Sequence, residues 1–507
     1  IVSKNFNPSK MDKQLPVGNI NGNIALTGEL GKQKFGGKMQ FGPSMLNGVS
    51  LSGKADILYE DQHLPRALTD LKLGTNVINT SGSFGKKGDR LNLNISAPDL
   101  SRFGFGLSGL LNAKGYLGGD LSDGIKTLET DLSGEARALR VGDLLNVRDL
   151  DFKLKGSPDV TKPVTAEIVG DRIVFAGETP TVIDAINLSM NGTGLNHRIR
   201  GTGNMVLDSK PYKLDLDANG GLNQDLDQWK GAVNALDISG AFNLKLQNRM
   251  NLEAGAERVA MSAARGAAMG GVLNLQSFVW DKRTGITTKG SAQNLHMAEL
   301  HNFYQPPVSH NLVLGGDWDM SYSENARGYL NIMRQGGDVI LPQNNQPLGL
   351  SNLSLRTRFQ NNRIDAQLDG NSRFGRVDAD VGINQQFGGN LANAPLNGRV
   401  NANISDLTAL RPLLPPSAQS LSGSFSGTAV LGGRVATPSI ASNLKLNTNY
   451  GNGDGIINIG QGNSLDTSPL SGRINLNVAN LEVFRNFIPV GQTIKGRLIG
   501  AVNLGGS

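Results

Sequence analysis

The chain alternates apolar and polar residues in short stretches along most of its length. In RLNLNI (90–95), three aliphatic side chains fall on one side of an extended chain and two asparagines on the other. The same alternation recurs in DLDFKLK (149–155), YKLDLDA (212–218), FNLKLQ (242–247), NLSLRTRF (352–359), RVDADVGI (376–383), NLKLNTNY (443–450) and RINLNV (473–478). Such a period of two predicts β-strands with one apolar and one solvated face. Asn-Gly and Gly-Gly turns separate the stretches, and short connections favour antiparallel pairing.

Composition narrows the ways in which so many strands can hide their apolar faces. The chain has 507 residues, which exceeds one compact core, but only 5% of them are aromatic and 66 are Gly. Large side chains that would fill a dense sandwich are therefore scarce. We predict an all-β fold: a long, mainly antiparallel, U-shaped sheet that forms a hydrophobic groove, with a few short helices. We also predict that residues 1–507 form one continuous repeating β-groove segment.

The apolar side chains of the alternating stretches are the candidate functional residues. A concave sheet lined with aliphatic side chains is suited to acyl chains, so we predict that these residues line a lipid-binding groove. The predicted groove residues are Leu91, Leu93, Ile95, Phe152, Leu154, Leu214, Leu216, Leu244, Leu246, Leu353, Leu355, Val377, Val381, Ile383, Leu444, Leu446, Ile474, Leu476 and Val478.

The sequence repeats itself near its end. LNGRVNANISDLTALRPLLPP (396–416) returns as LSGRINLNVANLEVFRNFIPV (470–490), which begins 74 positions later (470 − 396). GSFSGTAVLGG (423–433) likewise returns as GRLIGAVNLGG (496–506). Residues 391–507 are therefore predicted to hold two related repeats, each of which adds a further length of groove.

A few segments depart from the strand pattern. Apolar spacing predicts short helical turns at 406–414 and 480–488. The Ala-rich stretch AGAERVAMSAARGAAMGG (254–271) is a third candidate helix, although its internal glycines weaken that prediction.

One stretch, GGDWDMSYSENARGYLNIMRQGGDVIL (315–341), carries a family resemblance. It resembles the TamB family, the large periplasmic AsmA-like proteins of Gram-negative bacteria. The matching residues are Gly316, Asp317, Trp318, Arg334, Gly337 and Asp338. We interpret Trp318 as a packing residue, and Arg334 and Asp338 as a charge pair that fixes a strand crossing. Contact of these residues with a lipid headgroup is the alternative.

The resemblance implies a fold, an elongated U-shaped sheet (a β-taco) with a hydrophobic interior, and it also implies a function. It implies a periplasmic β-groove that moves phospholipid between the inner and outer membranes, in a parent protein anchored in the inner membrane. It also implies a linked role in outer-membrane protein assembly and a partner, the outer-membrane barrel TamA. The anchor and the TamA-binding segment are expected to lie outside these residues.

Motifs for other chemistry are weak in this sequence. GFGLSG (104–109) matches the dinucleotide fingerprint but lacks the strand–turn–helix context that binding requires. DLDANG (215–220) opens like a calcium loop, but its twelfth position is not the required Glu. His296, His301 and His310 lack metal-ligand spacing, and the chain has no Cys. We therefore predict no enzyme activity, no cofactor and no metal site.

Net charge and patterning leave two rival functions open. The net charge is +6, but the basic residues form no run longer than an adjacent pair, so we predict no nucleic-acid partner. A scaffold or chaperone that donates β-strands to outer-membrane proteins would share the same strand pattern. A secreted β-helical adhesin would also be rich in Gly and Asn, although a 74-residue repeat fits its short coils poorly.

Overall fold

The part of the chain that the structure describes is almost entirely β-strand. The computed structural model describes residues 2–506 except 12, 14, 30–33, 121, 123–125, 178–179, 307, 342–344, 385–389, 409, 411–419, 463–467 and 483–493. The helical segments with defined bounds are short 3-10 turns: Pro8–Lys10, Leu100–Phe103, Met297–Asn302 and Leu391–Asn393. The prediction of an all-β, antiparallel fold with a few short helices is confirmed.

The chain divides into two compact units, Ile1–Met261 and Ser262–Ser507. The strands of the first unit are β1 (Val2–Phe6), β2 (Gly18–Glu29), β3 (Lys34–Leu46), β4 (Val49–Glu60), β5 (His63–Leu73), β6 (Asn76–Gly82), β7 (Arg90–Ala97), β8 (Leu107–Gly118), β9 (Glu129–Val141), β10 (Leu145–Gly156), β11 (Pro163–Phe175), β12 (Thr181–Thr193), β13 (His197–Leu207), β14 (Lys210–Leu222), β15 (Gln228–Gly240), β16 (Leu244–Leu246) and β17 (Met250–Gly255). The division falls within β18 (Arg258–Ala268). That the groove is continuous over residues 1–507 stays a prediction.

Most connections in the second unit are short. Its strands are β19 (Gly271–Asp281), β20 (Gly285–His296), β21 (Val313–Tyr322), β22 (Ala326–Gly336), β23 (Ile340–Leu341), β24 (Gln346–Pro347), β25 (Leu350–Gln360), β26 (Arg363–Ser372), β27 (Gly375–Asn384), β28 (Leu396–Ile404), β29 (Gly423–Gly433), β30 (Pro438–Thr448), β31 (Gly451–Ile459), β32 (Leu470–Val478) and β33 (Leu498–Gly506). Longer connections precede β21, β29 and β33.

Most strands that follow one another in the chain pair antiparallel in both units. In the second unit β22 pairs with β25, and β23 and β24 pair in a separate 2-stranded sheet. In the first unit, β10 pairs with β9 on one side and β11 on the other. In the second, Asn361 and Asn362 both have positive φ in the two-residue turn between β25 and β26. That geometry matches the right-handed twist of the two strands and gives a tight hairpin.

The two faces of the strands differ in burial as the alternation predicts. Along β7, Leu91 and Ala97 are buried, Leu93 and Ile95 are half-buried, and the asparagines between them are exposed. A core cluster of the first unit is formed by Ala97, Leu100, Ala136, Leu139, Val147 and Ile173. The apolar face is therefore the sheltered one.

Glycines with positive φ lie within several strands. Gly53 in β4 has φ +112°, and a Cβ added there would lie 1.9 Å from the carbonyl oxygen of Asp70 in β5. Only a residue without a side chain permits this approach of two backbones. Strand glycines at such positions sharpen the local bend of a sheet.

The Ala-rich stretch at 254–271 is not helical, so that prediction is wrong. Leu252 and Ala254 of β17 pair with Met261 and Val259 of β18. Strand pairing overrides the helix propensity of alanine here, because internal glycines had already weakened the helix. Of the two predicted helical turns, 411–414 and 483–488 lie outside the described residues.

Candidate functional site: the apolar face

A continuous row of apolar residues and glycines crosses the first unit. Residues that pair directly across antiparallel strands share one face of a sheet, so the register identifies the row. From β2 to β15 it reads Gly22, Phe41, Gly53, Leu71, Ile78, Ile95, Ala113, Gly134, Phe152, Ile168, Leu188, Gly201, Leu216 and Leu236. No polar side chain interrupts it from its first strand to its last.

The neighbouring row on the opposite face is polar without interruption. From β2 to β14 it reads Asn23, Gln40, Lys54, Asp70, Asn79, Asn94, Lys114, Ser133, Lys153, Glu167, Ser189, Arg200 and Asp217. Opposite charges lie directly across from each other at Lys54 and Asp70 and at Arg200 and Asp217. Such pairs support the register of the sheet and keep this face in water.

Ion pairs join opposite charges on the polar face, and hydrogen bonds within them favour the charged forms of Arg137 and Asp217. The Arg137 guanidinium lies 2.7 Å from Asp151 and 3.2 Å from Glu135, and the hydrogen bond to Asp151 raises the pKa of Arg137. The hydrogen bond from Arg198 lowers the pKa of the Asp217 carboxyl. These groups are largely solvated, so their role is to define which face is wet.

The predicted groove residues of the first unit all lie on the apolar face. Ile95, Phe152 and Leu216 belong to the row described above. Leu93 and Leu154 belong to a parallel row through Gly115 and Leu132. The remaining ones, Leu91, Leu214, Leu244 and Leu246, have the same strand parity.

The second unit has equivalent rows. From β25 to β33, one reads Leu353, Gly370, Val377, Ala402, Gly427, Leu444, Gly455, Ile474 and Val502. A second, from β19 to β33, reads Leu273, Ala292, Gly316, Ile332, Leu355, Leu368, Ala379, Val400, Ala429, Ser442, Ile457, Gly472 and Leu504. Its one hydroxyl, Ser442, donates to the Ile457 carbonyl at 2.7 Å and is thus internally satisfied.

The predicted groove residues of the second unit also share this face, but several remain open to solvent. Val381, Ile383, Leu446, Leu476 and Val478 have the same parity as the rows. Val377 and Leu446 are each 41% exposed and Leu476 is 36% exposed. Aliphatic side chains that stay accessible after folding are what an acyl chain would contact. Lipid contact by the predicted residues stays a prediction.

Two tryptophans cover glycines on the apolar face. A Cβ on Gly290 would lie 2.4 Å from the Trp318 ring, and one on Gly231 would lie 2.4 Å from the Trp229 ring. Trp318 donates its indole N–H to the Thr288 hydroxyl at 3.1 Å. Trp229 donates to Nε2 of His197, a pairing that sequence reasoning missed because the two residues are 32 positions apart.

The remaining motif residues have structural partners, but not those predicted. Arg334 donates from Nε to the Gly337 carbonyl at 2.8 Å. Asp338 accepts from the amides of Val339 and Gly349 at 2.8 and 2.9 Å. Arg334 and Asp338 therefore do not form the predicted charge pair, because each satisfies backbone groups near the Gly337 turn instead.

The motifs for other chemistry lie in strands or turns. Leu107–Gly118 is a strand, so no helix follows GFGLSG (104–109). DLDANG (215–220) lies inside β14, where its residues alternate between the two faces. His301 and His310 approach with their Nε2 atoms 3.4 Å apart, and burial lowers the pKa of His310.

The sequence repeat is also a structural repeat. Its first copy forms β28 and β29, with Gly398 opposite Leu431. Its second forms β32 and β33, with Gly472 opposite Leu504. Each copy thus contributes one antiparallel pair in the same register.

Comparison with known protein families shows the family to which this chain belongs. A family model described as TamB, N-terminal domain, matches residues 1–446. The chain belongs to the TamB family. The first copy of the repeat begins within the TamB match and the second lies beyond it. A comparison with curated proteins finds no match. Among the residues described for this TamB-family chain, no helix has the length and apolar character needed to span a membrane.

Proposed function

We propose that this chain carries phospholipid acyl chains along its apolar face, in the periplasm, between the inner and outer membranes. One observation carries the proposal: apolar rows that run in register from strand to strand across each unit. Membership of the TamB family supports the same conclusion. The process needs no chemical step, so we propose that the chain is not an enzyme and uses no cofactor.

The energetics of the rows suit movement as well as binding. Each buried CH₂ group of an acyl chain contributes about 0.8 kcal/mol, so a chain laid over several strands is held firmly. Strands repeat every ~4.8 Å, and each strand offers a similar apolar surface. An acyl chain that shifts by one strand therefore exchanges one set of contacts for an equivalent one and meets no polar barrier.

The proposed partners follow from the same picture. Phospholipid is the cargo, its headgroup remaining in water at the mouth of the groove. We propose that the parent protein is anchored in the inner membrane and that TamA is engaged through regions outside these residues. A linked contribution to outer-membrane protein assembly is part of the proposal.

Photo-crosslinking should reveal lipid contact with a period of two. With a photoreactive amino acid at Ile474 or Leu476, we expect phospholipid to be captured, because both lie on the apolar face. At Asn475 and Asn477, which are exposed on the opposite face, we expect no capture above background. Mass spectrometry of the crosslinked product measures both.

Equal labelling at all four positions would contradict the groove. A strand-donating scaffold is the competing function. It predicts that crosslinks run to protein clients and that purified chain carries no phospholipid.

A further inference from the structure

The polar face of the second unit bears a concavity of about 1000 Å³ where β22, β25 and β26 lie side by side. Three arginines line it, Arg327 on β22 and Arg356 and Arg358 on β25. All three are exposed. Arg356 and Arg358 are two residues apart on one strand, so their side chains leave from the same face.

Register places polar and aromatic groups beside these arginines. Tyr329 lies directly opposite Arg358, and Asn331 directly opposite Arg356. On the other side of β25, Gln367 lies opposite Arg356. Side chains opposite each other across strands are typically about 5 Å apart at Cβ, so these groups converge on one site.

None of the three guanidinium groups has an ion pair or a hydrogen bond to another described residue. Elsewhere on the polar face, arginines meet carboxylates: Arg376 lies 2.8 Å from Asp369, and Arg137 lies 2.7 Å from Asp151. Neighbouring like charges destabilise a sheet unless a counter-charge is present. The three arginines of this cluster therefore lack the carboxylate partners that Arg376 and Arg137 have.

Two of the nearby carboxylates have ion pairs, and a third, Asp317, accepts from the neutral side-chain amide of Asn331 at 3.3 and 3.4 Å. Asp365 lies opposite Arg358, but its Oδ1 is 2.7 Å from Nε of Arg363. Across Tyr329, the Asp319 carboxylate is 2.8 Å from Nζ of Lys289. Three arginines therefore face one carboxylate without an ion pair among the described residues, Asp317, which leaves a net positive charge around the concavity.

We propose that this concavity, the arginine site, binds a phosphoryl group. A guanidinium donates two parallel hydrogen bonds to phosphate or carboxylate oxygens. One carboxylate matches one arginine, whereas three arginines match the higher charge and the three acceptor oxygens of a phosphate. Gln367 and the side-chain oxygen of Asn331, whose amide N–H donates to Asp317, can hydrogen-bond neutral hydroxyls on the same ligand. The exposed Tyr329 ring offers a stacking surface.

The proposal is independent of the apolar groove, because the arginine site lies on the opposite face. The phosphoryl group could belong to a soluble compound or to a lipid headgroup. These two sources share the recognition chemistry, and separate arms of one experiment distinguish them.

The test compares the full chain with the double variant Arg356→Gln/Arg358→Gln and the control Arg399→Gln. Arg399 is exposed on the polar face of β28, lies outside the concavity and has no ion pair among the described residues. Inorganic pyrophosphate is titrated calorimetrically into each protein. We expect binding by the unaltered chain, at least tenfold weaker binding by the double variant, and no change in the control. Circular dichroism confirms that each variant is folded.

The second arm uses flotation with vesicles that contain phosphatidic acid, a lipid phosphomonoester, and with phosphatidylcholine vesicles as the zwitterionic reference. Pyrophosphate binding that the double variant loses supports a soluble phosphoryl ligand. Flotation with phosphatidic acid that the double variant loses supports a lipid headgroup. The proposal is overturned if the unaltered chain binds neither probe, or if the double variant binds both as well as the control does.

Discussion

An arginine introduced on the apolar rows is expected to abolish lipid transport, whereas an arginine one residue away should leave it intact. Leu188 in β12 and Leu444 in β30 are half-buried on the apolar face and cover Gly201 and Gly427 of neighbouring strands. Arginine in a hydrocarbon environment costs roughly 2.5 to 3.5 kcal/mol, which lowers local acyl occupancy about a hundredfold or more. In the proposed function the acyl chain passes along the rows of both units, so one such barrier in either unit should stop transport.

Matched controls lie beside each position on the opposite face. Asn187 and Asn443 are exposed and have no side-chain hydrogen bond to another described residue. Asn187→Arg and Asn443→Arg should therefore complement a strain that lacks the protein. A long side chain at Leu188 or Leu444 can reach water at the groove mouth, so these variants should fold. Complementation is scored alongside protein level and resistance to protease. Equal behaviour of interior and exterior arginines would make the apolar face a structural core only.

Gly53→Ala is expected to destabilise the first unit by roughly 2 to 6 kcal/mol. The added Cβ would lie 1.9 Å from the Asp70 carbonyl oxygen, and the residue would keep a φ of +112° that L-residues rarely adopt. The magnitude combines backbone strain of about 1–3 kcal/mol with overpacking of about 1–3 kcal/mol. Amide hydrogen exchange should accelerate first in β4 and β5.

Gly156→Ala is the matched control, because a Cβ there meets nothing within 4 Å and its φ is ordinary. Its free energy of unfolding, measured by urea denaturation, should change by no more than about 0.5 kcal/mol, as for other surface substitutions. If both variants unfold at the same urea concentration, the close backbone approach at Gly53 does not constrain the sheet.

Alternation made most of the fold predictable. Leu91, Leu93 and Ile95 needed only their spacing to be placed on one face, because a period of two leaves a strand few other ways to bury them. The stretch 254–271 failed because alanine favours a helix locally while pairing with β17 decides the outcome.

The partners of individual polar side chains could not be predicted from the sequence. Arg334 and Asp338 are close in sequence and opposite in charge, yet backbone groups at the Gly337 turn satisfy both. The arginine site joins Arg327 to Arg356 and Arg358, and only the pairing of β22 with β25 brings them together. The doublet in RTR (356–358) was a local signal for it, since it places two guanidinium groups on one face.

Pairing between successive strands has a consequence for how the chain reaches its folded state. Since a strand of either unit mostly contacts the strands just before and after it, loop closure costs little entropy at each addition. Folding can then proceed as a zipper that extends from the first hairpins while later residues are still emerging into the compartment. In such a zipper, the rate at which each strand is added does not depend on chain length. Loss or gain of one hairpin also leaves the remaining strands in their original direction. The length of such a sheet can therefore change during evolution by whole hairpins, without new packing in the rest of the chain.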